Sequence, residues 1–235
     1  MLPRTRKVDT VAIIPARGGS KRLPGKNLLP IGGKPLIEWT IDAALNSNVL
    51  DLIVVSSDDE AILALASRKG VRVVTRPAEL ARDDSPTSEA LLHALKELEC
   101  EHIFPQTVML LQPSSPLRAS DDIVKSLAVM VEEKCNSVIS VCEVDHSPLW
   151  CNTLDESKCM DSFISTDIKN KRSQDLPVFY RLNGAIYIAT TEIYKKEKSF
   201  FVENSRAYIM SRARSVDIDT ADDLRFAEFV MQRFG

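Results

Sequence analysis

Apolar positions along the chain follow two rhythms that take turns. Short apolar runs at residues 11–15, 52–56, 71–75, 108–112 and 137–144 read as strands. Between them the spacing is helical: Leu36, Ile37, Thr40, Ile41, Ala44 and Leu45 share one stripe, as do Ile62, Leu65 and Ala66, then Ala90, Leu91, Ala94, Leu95 and Leu98. Strands alternating with helices in this way predict an α/β fold, a parallel sheet covered by helices on both faces. The rhythm breaks at residues 145–182, where Pro148, Trp150 and Lys169-Asn170-Lys171-Arg172 interrupt any period. We expect an inserted, β-rich arm there that packs on a second subunit. Strands resume at 184–188, 207–209 and 216–218, and a helix over residues 220–232 closes the chain.

Composition narrows the class. The 235 residues can bury a full α/β core with a smaller appendage. Lys and Arg number 30 against 33 Asp and Glu, with no long basic run, so non-specific nucleic-acid binding has no electrostatic footprint. Five cysteines without a Cys-x-x-Cys pair argue against a zinc knuckle and against a secreted disulfide framework. The first seven residues lead into a strand rather than a signal-peptide core, and no apolar run is long enough to cross a bilayer. The expectation is a soluble cytoplasmic protein with neither membrane nor nucleic acid as a partner.

Against that balanced background, the cations crowded after the first strand stand out. Ala16-Arg17-Gly18-Gly19-Ser20-Lys21 and then Gly25-Lys26-Asn27 form a glycine-punctuated loop at a strand end. Gly18 and Gly19 let backbone N–H groups approach an anion, Ser20 adds a hydroxyl donor, and Arg17, Lys21 and Lys26 supply charge. The loop predicts a polyphosphate site. It is not a Walker loop, because Gly25-Lys26 is followed by Asn27, and it lacks the Gly-x-Gly-x-x-Gly order of a dinucleotide fold.

Near the other end, Asp217-Ile218-Asp219 sets two carboxylates at i and i+2, which on an extended strand leave the same face. Such a pair suits Mg2+, which takes one or two protein carboxylates and completes its shell with water and substrate phosphates. The competing reading is that Asp219 caps the following helix together with Thr220 and Asp223, which leaves Asp217 unexplained. Asp58 is read as a helix cap. Two proline-stiffened loops, Arg76-Pro77-Ala78-Glu79-Leu80 and Gln112-Pro113-Ser114-Ser115-Pro116-Leu117-Arg118, leave strand ends where open α/β sheets bind ligands. Gln112 is read as a ligand contact and Arg118 as a structural ion-pair partner. His93, His102 and His146 share no metal-binding spacing with one another or with cysteine.

Taken in order, the blocks 14–21, 26–27, 76–80, 110–118, Asn183-Gly184-Ala185-Ile186-Tyr187-Ile188 and 217–220 span almost the whole chain. This series resembles the acylneuraminate cytidylyltransferases, also called CMP-sialic acid synthetases. The resemblance implies a Rossmann-like nucleotidyltransferase with a mainly parallel sheet flanked by helices. Residues 1–144 and 183–235 would form the nucleotidyltransferase domain, and residues 145–182 an inserted dimerisation arm. The implied reaction joins CTP to the anomeric hydroxyl of a nine-carbon 2-keto acid sugar with Mg2+, releasing pyrophosphate. By the family pattern Ala16, Arg17, Ser20, Lys21, Lys26 and Asn27 line the CTP site, with Arg17, Lys21 and Lys26 as the catalytic cations. Arg76 and the stretch from Ser85 to Thr87 lie near the cytosine and ribose. Gln112, Tyr187, Phe200 and Phe201 hold the sugar, Asp217 and Asp219 hold the metal, and the arm of one protomer in a homodimer reaches over its neighbour's site.

Two departures from the pattern fall in the arm. Trp150 follows His146-Ser147-Pro148-Leu149 where the family carries lysine, and Arg172 sits one position earlier than the expected arginine, with Ser173 in its place. Trp150 and Arg172 are therefore candidate acceptor contacts, and they favour a less polar nonulosonic acid such as legionaminic or pseudaminic acid. The alternatives are a 3-deoxy-manno-octulosonate cytidylyltransferase, which shares the Pro-Ala-Arg and Arg-Leu-Pro-Gly-Lys elements, and a nucleotide-sugar binding protein without turnover.

Overall fold

The computed structural model describes residues 6–234; residues 1–5 and Gly235, assigned above to the nucleotidyltransferase domain, lie outside the described residues. The chain runs β1 (Arg6–Pro15), β2 (Pro30–Ile31), β3 (Lys34–Pro35), α1 (Leu36–Ser47), β4 (Leu52–Ser57), α2 (Glu60–Arg68), β5 (Arg72–Thr75) and α3 (Thr87–Cys100). It continues through β6 (Ile103–Leu111), α4 (Ser120–Glu132), β7 (Ser137–Glu143), β8 (Tyr180–Thr190), α5 (Thr191–Glu197), β9 (Ser205–Ile209) and α6 (Ala221–Phe234). Seven strands form one sheet in the order β5-β4-β1-β6-β8-β7-β9, while β2 and β3 pair separately. All pairings in the large sheet are parallel except the two made by β8. The chain winds outward from β1 through β4 to β5, then crosses back through α3 to β6 on the other side of β1. That reversal opens a crevice beyond the carboxyl ends of the central strands, where open α/β sheets take their ligands.

Side-chain alternation along β1 serves two cores. Ala12 and Ile14 face a cluster with Ile37 and Ile41 of α1, Ile62 of α2 and Ile123 of α4, whereas Val11 and Ile13 face Leu91, Leu95 and Leu98 of α3. The predicted helical stripes are buried, apart from Leu45, which is 38% exposed near the end of α1. A third cluster joins Ile31 and Leu36 to Val216, Ile218 and Ala227, and so fastens the C-terminal segment against the first loop.

Three expectations need correction. Strand β1 begins at Arg6, because its polar first half is completed by pairing with β6 from Ile103 onward. Residues 216–218 form no ladder; they are an extended strip docked by the Ile218 N–H donating to the Ser114 carbonyl. The arm is not β-rich: residues 144–179 hold only the 3-10 turns Pro148–Trp150 and Ser173–Asp175. Its Ser, Asp, Lys and Pro content favours local turns over a ladder. Val144 N donates to Phe179 O at 3.0 Å, so the arm is a closed excursion between two neighbouring strands.

Candidate functional site

The glycine loop leaves β1 still attached to β4, with Ala16 buried and its N–H donating to Ser56 O at 2.9 Å. Gly18 N then donates to Asp58 Oδ1 at 3.1 Å. The cap of α2 is Asp59, whose Oδ1 accepts from Ala61 N and Ile62 N, so Asp58 is not the helix cap; it orders the loop instead. A side chain on Gly18 would stand 2.8 Å from Asp59 Oδ2, which explains the glycine by close approach. Farther along, Gly25 takes the left-handed φ of 64° that turns the chain into Lys26–Leu28. Buried Asn27 donates through Nδ2 to Arg17 O at 2.9 Å and holds the two ends of the loop together.

A cavity of about 360 Å3 opens where β1, β5 and β6 end. Its walls bring together Arg17, Lys26, Asn27, Arg76, Ser85, Thr87, Gln112, Asp217 and Asp219. An adjoining hollow of about 380 Å3 shares Arg17, Lys26, Asn27 and Asp219 and adds Ser20 and Lys21. Arg76 is 7% exposed and donates to Ser56 O at 2.9 Å; burial lowers its pKa, with Asp58 opposing and Arg17 adding to the effect. Cations this close, one of them desolvated, form an electrostatic seat for an anion.

The C-terminal carboxylates reach the same cavity, and the question of capping resolves between them. The helix is capped by Thr220 and Asp223: Thr220 Oγ1 accepts from Asp223 N, while Asp223 Oδ2 accepts from Asp219 N and Thr220 N. The Asp219 side chain is thus free of the helix and meets Lys26 Nζ at 3.1 Å and Arg22 Nη2 at 3.0 Å. Lys26 Nζ also donates to Ile218 O at 2.7 Å. Burial raises the Asp217 carboxyl above its ordinary range; a hydrogen bond with Ser114 opposes this, and the neighbouring Asp219 reinforces it. Two carboxylates facing one cavity fit a hard divalent cation that shares its shell with phosphate oxygens. Among the described residues no three His, Cys, Asp or Glu side chains converge to hold a metal without such help.

On the side of the cavity beyond Gln112, the Asn183-Gly184 pair interrupts strand regularity. Register between β7 and β8 shifts between Ile139 and Val141. Ser140 Oγ donates to Asn183 Oδ1 at 2.6 Å and accepts from Ile186 N, while Asn183 Nδ2 donates to Ser215 Oγ. Gly184 has φ 75°, and a Cβ there would lie 2.9 Å from Gln112 Oε1, so the bulge leaves room for the glutamine. Tyr187 is paired opposite Leu110, and its pKa is raised by burial and then by Asp217. Phe200 is buried against Tyr187 and Tyr194, with ring centroids 5.5 and 4.6 Å apart, so it supports Tyr187 from the core.

Other candidates lie apart. Phe201 is 61% exposed and lines a separate hollow with Asn136 and Ile193. Half-buried Trp150 and exposed Arg172, the latter paired with Asp175 at 3.0 Å, stay within the arm and line neither of the two cavities. Arg118 is structural but makes no ion pair among the described residues. It donates to Gln112 O and Ala185 O, and burial pushes its pKa down to about 9. Sequence reasoning missed Ser114, which bonds Asp217, and Asp83, which bonds Arg17 and Lys21. Neither has a local signal, since a serine in a proline loop and an aspartate in a turn are ordinary there.

Comparison with known proteins gives the chain a family. Residues 11–232 match the family model described as cytidylyltransferase. An N-acylneuraminate cytidylyltransferase of Streptococcus agalactiae is 39% identical over 91% of this chain and 51% of its own length. The chain therefore spans about half the length of that relative. A CMP-N,N'-diacetyllegionaminic acid synthase of Legionella pneumophila is 36% identical over 94% of this chain and 96% of its own. Among solved structures, CMP:2-keto-3-deoxy-manno-octonic acid synthetase complexed with CTP superposes with a TM-score of 0.71 at 19% identity, covering 96% of this chain and 99% of that one. At that identity the likeness is one of fold.

Proposed function

The chain belongs to the cytidylyltransferase family, and from that premise we propose that it transfers CMP from CTP to the anomeric hydroxyl of a nonulosonic acid. The observation that carries this reading is the meeting of Arg17, Lys26 and Arg76 with Asp217 and Asp219 around one cavity. In the reaction the anomeric oxygen forms a bond to the α-phosphorus as the bond from that phosphorus to the bridging oxygen of the β-phosphate breaks; pyrophosphate leaves, and the hydroxyl proton passes to a phosphate oxygen or to water. Arg17, Lys21 and Lys26 neutralise the phosphate oxygens. A positioned donor of this kind contributes about 2.7–4 kcal/mol to the transition state. The acceptor brings its own carboxylate, so without those cations two anions would repel strongly in a partly dry pocket. Asn27 orders the loop around the phosphates and Ser20 adds a hydroxyl donor, and Ser85 and Thr87 border the nucleoside.

Asp217 and Asp219 would hold Mg2+, which when bound supplies positive charge to the triphosphate. Gln112 and Tyr187 would face the sugar, joined across a homodimer by Trp150 and Arg172 of the arm. Exposed Leu154, Met160 and Val178 in the arm, with Tyr180 and Leu182 at its base, support burial against a second copy. Five free cysteines accord with action in the reducing cytoplasm. The indole at 150 favours an acceptor with an acetamido or methyl group, as in a legionaminic-type sugar. The test is a panel of nonulosonic acids and 3-deoxy-manno-octulosonate mixed with CTP and Mg2+, read as pyrophosphate release and as CMP-sugar by mass. Turnover with a nonulosonic acid is expected. Turnover with the octulosonate alone, or CTP binding without any turnover, rejects the proposal.

A further inference from the structure

The cations of the glycine loop are already engaged by carboxylates. Asp219 takes Lys26 and Arg22, and its place beside Asp217 gives it a role in the proposed reaction. Asp83 has no such role, yet its Oδ1 lies 2.9 Å from Arg17 Nη1 and its Oδ2 lies 3.0 Å from Lys21 Nζ. The same Arg17 nitrogen donates to Arg82 O at 3.1 Å, and Ser85 N closes the turn onto that carbonyl at 3.2 Å. Asp83 borders both the cavity and the adjoining hollow. Lys21 first, then Arg17, holds its carboxyl below the ordinary range, so it is charged at neutral pH. Two oxygens on two cations are what a phosphate group would present to the same pair.

We propose that Asp83 is a built-in competitor for the triphosphate: in the empty enzyme it occupies Arg17 and Lys21, and CTP must take both cations from it. The proposal rests on the reading of the cavity as the CTP site. Both ion pairs are partly exposed, with the Asp83 side chain at 38%, so each is weak enough to exchange. A nucleotide with several phosphate charges competes well for them, whereas a single weak anion does not. The carboxylate also keeps a long arginine and lysine near their working positions, which lowers the ordering cost on binding.

The experiment is calorimetric binding of CTP and of cytidine, without acceptor, to the wild-type chain, Asp83→Asn, Asp83→Glu and Arg17→Ala. Asp83→Asn is expected to bind CTP about threefold to tenfold more tightly, the gain from two exposed pairs no longer competing. Asp83→Glu should return toward wild type, and cytidine, which has no phosphate, should bind all four alike. In turnover assays the gain should fall on the KM for CTP rather than on kcat. If Asp83→Asn binds CTP no better than wild type, or more weakly, Asp83 does not compete and the proposal is wrong. Arg17→Ala separates the two levels: its loss of CTP binding with no gain in Asp83→Asn removes the competitor alone. Wild-type CTP binding by Arg17→Ala removes the phosphate seat, and the competitor with it.

Discussion

Replacing Lys26 by methionine keeps the aliphatic stem and deletes the ammonium, so it isolates the charge. In the structure the Lys26 side chain is 16% exposed, and its ammonium bonds two groups of the C-terminal strip, Ile218 O at 2.7 Å and Asp219 Oδ1 at 3.1 Å. Removing it leaves a carbonyl in a partly buried position without its donor, a loss of about 1–3 kcal/mol. The Asp219 share is smaller, because that carboxylate is 35% exposed and keeps Arg22. For a chain of this size each kcal/mol moves the melting temperature by roughly 2–4 °C, so the variant should melt about 2–12 °C lower and still be folded at assay temperature. Activity should fall much further, by about a hundredfold to a thousandfold, because a donor positioned at developing oxyanion charge is lost. The assay is pyrophosphate release with saturating CTP and the best acceptor of the panel, alongside thermal melts by circular dichroism. Lys26→Arg keeps the charge and should recover part of the rate. A methionine variant that is folded and turns over within about threefold of wild type would refute the argument that this lysine serves the phosphates.

Asp217→Asn should sharply raise the Mg2+ concentration needed for half-maximal turnover, checked by metal titration against wild type. Because burial raises the Asp217 carboxyl, the folded state binds that proton more tightly than the unfolded state, and the favourable contribution is lost as pH rises through the raised value. At neutral pH in chelator the asparagine chain should therefore melt at or above the wild-type temperature; a lower melting point contradicts the sign. Gly184→Ala must hold a left-handed φ at about 1–2 kcal/mol and crowd Gln112, so melts should fall by a few degrees while acceptor KM rises. Unchanged KM would remove Gln112 from the acceptor side. Trp150→Lys should shift the ratio of kcat/KM toward N-acetylneuraminic acid and away from a legionaminic-type sugar, by on the order of a hundredfold at most. An unchanged ratio makes Trp150 a packing residue of the arm.

Periodicity and glycine chemistry are local properties, and they sufficed to read the layered α/β architecture, the core stripes of α1 to α3 and the cationic glycine loop that borders the cavity after β1. Arg76 and Gln112 were legible for the same reason, since each directly follows a strand whose end faces the ligand crevice. What depended on distant partners was not legible. Asp219 turns to Lys26 across a separation of 193 residues, and only that meeting resolves it from a helix cap, a task taken by Thr220 and Asp223. Asp58 and Asp59 are adjacent and alike in sequence, yet one caps α2 and the other holds Gly18, because the approach of the first loop selects between them. Residues 216–218 have the alternation of a strand but join no ladder, and they lie as a strip on Ser114. The two oxygens of Asp83 find Arg17 and Lys21 only once β1 and the loop after β5 end on the same side of the sheet. Side-chain chemistry is written residue by residue, but a site is a set of distances, and long-range packing alone brings those distances within reach of a hydrogen bond.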